Sequence, residues 1–291
     1  MKLITFVRRG ETAEEVGLLR PDGAALPAKA AGLDFKDMND LILRATPEDL
    51  AALEGSDAPG LAADEYELLA PIPRPMQDVV CMGLNYTEHA EEAFGFSSEA
   101  FSSDRATPIF FSKRASFCPG PGAPIPAHEE LTQKLDYECE LAVILGRDAR
   151  DVSEADAEAY IFGYTIVNDV SARDLQTKHK QWYFGKSLDG FTPMGPCITT
   201  ADAIAFPPAL RISTKVNGQT RQNSSTRMLI HGVAEIIATL SAGMTLKAGT
   251  IIATGTPKGV IMGMENPVFL KKGDTVACEI EGIGELVNTV E

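Results

Sequence analysis

The reading turns on one stretch, Leu135-Asp136-Tyr137-Glu138-Cys139-Glu140-Leu141-Ala142-Val143-Ile144-Leu145. Its alternation at period two marks a β-strand. Tyr137, Cys139, Leu141, Val143 and Leu145 fall on one face, and Glu138, Glu140, Ala142 and Ile144 on the other. Both faces turn apolar further along, which predicts a central strand with two glutamates on a partly buried face. Neighbouring buried like charges are strongly unfavourable unless a cation neutralises them. A second apolar strand, Tyr160-Ile161-Phe162-Gly163-Tyr164-Thr165-Ile166-Val167-Asn168-Asp169, also ends in a carboxylate. Three carboxylates, with water completing an octahedron, suit hard Mg²⁺ or Mn²⁺ and do not suit zinc. Periodicity alone leaves a plainer alternative standing beside this one. The glutamates then sit solvated on an edge strand, and the aspartate is a solvated strand end.

Outward from this stretch the chain reads as many short strands and few helices. Leu3–Val7 and Glu15–Leu19 read as strands, and Pro47–Leu53 as a helix with Thr46 as N-cap and Pro47 in its first position. Pro71-Ile72-Pro73-Arg74-Pro75 is a stiff connector incompatible with helix. A boundary there divides a small N-terminal α+β domain, residues 1–70, from a larger domain, residues 71–291. In the larger part, Asp78–Gly83 and Pro108–Lys113 are strands, and residues 94–105 form a loop without period. Ser153–Ala159 reads as a short helix capped by Ser153, and His231–Leu240 has helical spacing. Asn217-Gly218 between two strands is a strong two-residue hairpin signal. Ile251–Gly255, Asp274–Ile280 and Ile283–Val290 close the chain as strands. Strands do not alternate with long helices, so the pattern argues against Rossmann and TIM-barrel plans. It predicts a β-rich α+β chain arranged as a mixed roll or sandwich.

Lys and Arg number 26 and Asp and Glu 41, a net charge of −15. Such a field disfavours nucleic acid and anionic membrane surfaces, since both need cationic contacts. It leaves room for an anionic substrate, because a bound cation and a few basic groups reverse the potential inside one cleft. The five cysteines (Cys81, Cys118, Cys139, Cys197 and Cys278) are scattered without a C-x-x-C pair. That fits reduced, buried thiols in a cytoplasmic protein. No apolar run approaches membrane-spanning length.

Five blocks together resemble the signature of the fumarylacetoacetate hydrolase family, in the family's order. They are Gly83-Leu84-Asn85-Tyr86-Thr87-Glu88-His89-Ala90, Leu135–Leu141, Gly163–Gln176, Gly185–Pro196 and Ile252–Gly259. The resemblance spans roughly residues 76–290. It implies a mixed β-sandwich roll, usually a homodimer, with one divalent metal held by Glu138, Glu140 and Asp169. It also implies a catalytic dyad of His89 and Glu92, whose spacing places both on one face of a helix. Lys186 would lie near substrate oxygens. Arg173 and Gln176, one helical turn apart, would meet a substrate carboxylate, and Thr254, Gly255 and Thr256 would offer it further donors. Animal members add a fourth acidic ligand in the block that here reads Asn85-Tyr86-Thr87-Glu88, so this chain departs from them. His128 and His231 read as structural, and His179 as near the site mouth.

The family chemistry implied is cleavage of a carbon–carbon bond in a small 2-oxo acid through an enolate, as in acylpyruvate hydrolases. Decarboxylation of oxaloacetate, or an isomerisation or decarboxylation in aromatic catabolism, is the alternative, since each passes through the same enolate. A catalytically silent binding protein is a third reading, opposed by the intact His89–Glu92 pair. Residues 94–105 are the candidate lid over bound substrate.

Overall fold

The computed structural model describes residues 1–98 and 106–291. Strands β1 (Lys2–Arg8), β2 (Glu14–Leu19) and β3 (Ala25–Pro27) form an antiparallel meander, and β4 (Tyr66–Leu68) pairs with the far half of β1. Between them lie α1 (Met38–Arg44) and α2 (Pro47–Glu54). Thr46 and Asp49 form a reciprocal capping box with Pro47 leading α2, as its sequence predicts. Next come β5 (Val79–Gly83), α3 (Thr87–Phe96), β6 (Ile109–Lys113), β7 (Leu135–Asp136), β8 (Cys139–Leu145) and β9 (Ile161–Asn168). Beyond them lie β10 (Ser171–Ala172), α4 (Arg173–Lys178), α5 (Tyr183–Lys186) and β11 (Met194–Thr200). The hairpin β12 (Arg211–Val216) and β13 (Gln219–Ser225) follows, then α6 (Val233–Ser241) and β14 (Ile251–Ala253). The strands β15 (Thr275–Ile280) and β16 (Gly284–Thr289) close the chain.

The main sheet runs β3-β2-β1-β11-β9-β8-β14-β5-β6, and a second sheet runs β13-β12-β15-β16. Of the pairings in the main sheet only β14 with β5 is parallel. Leu3 lies opposite Ile198 of β11, so the N-terminal meander continues the sheet that carries the carboxylates. The second sheet packs on one face of the main sheet, giving the mixed β-sandwich roll. β8 is buried on both faces. Leu141, Val143 and Leu145 enter the core shared with Ile212, Val276, Cys278 and Ile280 of the second sheet. Ala142 and Ile144 enter the opposite core with Leu3, Met38, Leu41 and Leu53 of the N-terminal segment. The two-faced apolar pattern of this strand is therefore the reason the chain needs a layer on each side.

Asn217 and Gly218 both have positive φ, 50° and 77°, and close the β12–β13 hairpin. Several expectations require correction. Residues 154–160 form a 3-10 helix, and the Ser153 hydroxyl bonds the Asp156 carboxylate at 2.6 Å instead of a backbone N–H. α6 begins at Val233, two residues beyond His231. Phe94–Phe96 are the last turn of α3 and not loop, while residues 99–105 of the candidate lid lie outside the described residues. Among the described residues no helix is long and apolar enough to cross a membrane. All five cysteines are buried and unpaired.

At Gly163 on β9 a Cβ would fall 2.5 Å from the Thr199 carbonyl oxygen and 2.7 Å from the Ile198 side chain on β11. Gly163→Ala is expected to destabilise the fold by about 1–3 kcal/mol, the usual result of overpacking against backbone. Thermal unfolding reads this as a fall in Tm, and an unchanged Tm would mean that the two strands are not so tightly apposed.

Candidate active site

The antiparallel register of β8 and β9 sets Cys139 opposite Asn168, and so brings Glu138 and Asp169 to the same end of the two strands. Backbone bonds lock that end: Asp169 N–H donates to the Glu138 carbonyl at 2.8 Å, and Glu138 N–H to the Asn168 side chain at 3.0 Å. Glu140, the second residue of β8, comes together with Glu138, which immediately precedes that strand. Carboxylate oxygens of Glu138, Glu140 and Asp169 lie within 4.8 Å of one another, and all three residues are buried.

Three cations reach the same place. Lys186, from the end of α5, donates to Glu138 Oε2 and Asp169 Oδ2, both at 2.8 Å. Arg173, at the start of α4, lies 2.7 Å from Glu138 Oε1 through Nη1 and 2.9 Å from Asp136 Oδ2 through Nε. Its Nη1 also donates to Gln176 Oε1 at 3.0 Å. Lys113, from the end of β6, pairs with the other oxygen of Asp169 and donates to the Val170 carbonyl at 3.0 Å. Lys113 and Asp136 went unremarked in the sequence. Asp136 shares the parity of Glu138 and Glu140, which is a usable signal. Lys113 carries a weaker one, a lone charge ending an apolar strand.

The buried charges do not balance. Among the described residues, Asp136, Glu138, Glu140 and Asp169 are four buried carboxylates, against the three buried cations Lys113, Arg173 and Lys186. Among the described residues Glu140 has no ion-pair partner, and it accepts a hydrogen bond from Gly255 N–H at 2.7 Å. Burial, with Asp169 and Glu138 beside it, pushes the Glu140 carboxyl well above the usual carboxylate range. Burial works the same way on Glu138, but Lys186, Arg173 and His89 outweigh it and hold that carboxyl below its usual range. Burial would lower the Lys186 pKa, and Asp169 and Glu138 reverse this and raise it. On Lys113 burial prevails over Asp169 and the pKa falls. An oxygen-only donor set with one uncompensated carboxylate fits a hard divalent cation, and each oxygen already bonded to Lys or Arg keeps a second lone pair.

Glu138, Glu140, Arg173 and Lys186 line a narrow cleft together with His89, Gln176, Thr256, Phe111, Trp182 and Met262. His89 Nδ1 lies 3.7 Å from Glu92 Oε2, beyond hydrogen-bond distance, and has no hydrogen-bond partner. Arg173 Nη2 is likewise buried without one. Thr254 and Thr256 are placed differently from a substrate-donor role. Their hydroxyls donate to the Leu141 and Cys139 carbonyls of β8 at 2.8 and 2.9 Å. Together with Gly255 they hold the strand and Glu140. His231 bonds Glu235 at 2.8 Å, and His128 bonds the Asp189 carbonyl at 2.9 Å. His179 ends α4, exposed, with its ring against Phe184.

Known proteins carry the same frame. Residues 78–291 match the sequence profile of the fumarylacetoacetate (FAA) hydrolase C-terminal region, and the chain belongs to that family. It is 46% identical over 226 residues to the oxaloacetate tautomerase YisK of Bacillus subtilis, covering 78% of this chain and 73% of that protein. The fumarylacetoacetate hydrolase of psychrophilic Exiguobacterium antarcticum superimposes with a TM-score of 0.87 at 40% identity, covering 100% of this chain and 99% of that one. The maleylpyruvate hydrolase of Sphingobium sp. SYK-6 does so with a TM-score of 0.78 at 30% identity, covering 100% and 99%. The chain is an enzyme of this family.

Because the folded Glu140 pKa lies above its ordinary value of 4.5, the metal-free fold loses stability as pH climbs from there through the raised value. In chelator, Glu140→Gln should therefore raise Tm near pH 8 by a few degrees, with the difference vanishing as pH falls towards 4.5. Mn²⁺ should raise Tm in the wild type and leave the variant unmoved. A lower Tm in the variant at pH 8 would contradict the charge count.

Proposed function

We propose that the enzyme catalyses enolisation of a small 2-oxo dicarboxylic acid, with oxaloacetate keto–enol interconversion as its reaction. The observation that carries this reading is the arrangement in one cleft of His89, a buried imidazole, and Arg173 Nη2, a buried and unpartnered cationic donor. The 46% identity to an oxaloacetate tautomerase supports it.

Arg173 Nη2 receives the carboxylate next to the oxo group. The Gln176 amide nitrogen adds a donor, because its oxygen is already engaged by Arg173. Glu138, Glu140 and Asp169 would hold a divalent cation, Mg²⁺ or Mn²⁺, which would supply Lewis-acid stabilisation of developing negative charge. His89 removes the proton from C3 through Nε2, while Glu92 faces Nδ1 and favours the tautomer that carries a proton there. As the C3–H bond breaks, the C2–C3 double bond forms and charge moves to the oxo oxygen, which takes a proton from water to give the enol while His89 returns the C3 proton to solvent. Lys186, kept protonated by Glu138 and Asp169, adds positive charge beside that oxygen. Met82, Leu84, Phe111, Trp182 and Met262 restrict water around the reacting carbons. The working unit in this reading is a homodimer in the cytoplasm, as the family resemblance suggests.

Hydrolysis of an acylpyruvate is the second reading, favoured by Glu92 beside His89 and by the likeness to a maleylpyruvate hydrolase. There His89 takes the proton of a water that attacks the distal carbonyl, and the carbon–carbon bond breaks.

Proton NMR in D₂O with Mn²⁺ separates the two. The enolisation reading expects fast deuterium entry at C3 of oxaloacetate and fast approach to keto–enol equilibrium, with acetylpyruvate left uncleaved. His89→Ala should slow the exchange by about 10²–10⁴-fold, the usual contribution of a general base. Acetate and pyruvate formed from acetylpyruvate would favour the hydrolase instead. Exchange undiminished in His89→Ala would remove His89 as the base.

A further inference from the structure

Two buried side chains beside the carboxylate cluster have no part in the chemistry described above. Asp136 and Tyr137 are both fully buried, and neither lines the cleft. Besides the pair that Asp136 makes with Arg173, both side chains bond the backbone of one short segment, residues 259–263. Asp136 Oδ1 accepts the Ile261 N–H at 2.9 Å, and Oδ2 accepts the Met262 N–H at 3.0 Å. The Tyr137 hydroxyl donates to the Gly259 carbonyl at 2.7 Å.

The opposite side of the same segment holds α3. The Gly259 N–H donates to both carboxylate oxygens of Glu92, each at 3.1 Å. Gly259 has φ +101°, and a Cβ there would fall 2.1 Å from the Arg221 carbonyl oxygen, so the peptide is held in one orientation. At Gly263 a Cβ would fall 2.6 Å from the Glu92 carboxyl carbon. Ala90, Ala93 and the half-buried Phe96 of α3 pack with Leu84, Val260 and Met262. Such apolar contacts are non-directional, so the polar pins set where the helix lies. Because His89 sits one turn before Glu92 on α3, its place in the cleft follows from them.

We infer that Asp136 and Tyr137 are positioning residues that fix segment 259–263 and, through Gly259 and Glu92, set His89 in the cleft. The inference rests on the reading of His89 as the base. One run of sequence, Asp136–Glu140, thus carries both the donor set and the bracket that places the base relative to it.

Tyr137→Phe tests this in the Mn²⁺-loaded enzyme, because it removes one hydrogen bond and leaves the Arg173–Asp136 pair intact. The expected result is a kcat about tenfold lower for oxaloacetate enolisation, since displacing a reacting group by a fraction of an ångström costs on that order. KM and the Mn²⁺ dissociation constant should stay within about twofold, because the substrate and donor groups have not moved. In the His89→Ala background Tyr137→Phe should cost less than about twofold further, the non-additivity expected of residues acting as one unit. Gly263→Ala pushes on Glu92 from the side of segment 259–263 and should reproduce the pattern, which keeps the test available if Tyr137→Phe does not fold. Full kcat in Tyr137→Phe, losses that multiply with His89→Ala, or a matching loss of Mn²⁺ affinity would overturn the inference alone. Full activity of His89→Ala by itself would overturn the base assignment and this inference with it.

Discussion

The site depends on a mismatch of one charge. Among the described residues, Asp136, Glu138, Glu140 and Asp169 are buried with only Lys113, Arg173 and Lys186 to neutralise them. Buried ion pairs of this kind survive only where geometry and hydrogen bonds are nearly complete. Three of the four carboxylates meet that condition, and Glu140 does not. Asp136 has backbone donors and Arg173, Glu138 has Arg173 and Lys186, and Asp169 has both lysines. A metal-free site therefore stores an unfavourable charge that a divalent cation relieves, which ties affinity for the ion to the stability of the fold.

The fold supplies what such a cluster needs. Burial on both faces of β8 requires a second sheet on one side and the N-terminal segment on the other. The same burial desolvates Glu140. The register with β9 then fixes which carboxylates converge. Further residues complete the site from three directions: Lys113 from the end of strand β6, Arg173 and Lys186 from the helices after β9, and His89 from α3. Function here lives in groups that the sheet positions but mostly does not contain.

Much of this was legible before the structure. Alternation gave the central strand and its two faces over residues 139–145, though the strand expected from Asp136 is interrupted at residues 137–138, and carboxylates near apolar strands flagged Glu138, Glu140 and Asp169. Asn217-Gly218 and Thr46-Pro47 gave a turn and a cap by local chemistry alone. Other features were hidden because they depend on who meets whom. Nothing local says that Lys113 is bound to Asp169, or that Asp136 grips the backbone of residues 261 and 262. Thr254 and Thr256 read as donors free for a ligand, yet their hydroxyls go to β8 carbonyls beside the site. Ser153 read as a helix cap, but a nearby carboxylate competed for its hydroxyl. The end of α3 read as loop because its glycine and aromatics mask a helical turn that segment 259–263 stabilises from outside.

The most direct test of the charge argument is an anomalous difference map at the manganese edge, from a crystal of the enzyme grown with Mn²⁺. The account predicts one strong peak per chain within ligand distance, about 2.0–2.3 Å, of oxygens from Glu138, Glu140 and Asp169. An enzyme that turns over with Mn²⁺ but shows no peak there, or only a peak elsewhere, would contradict it.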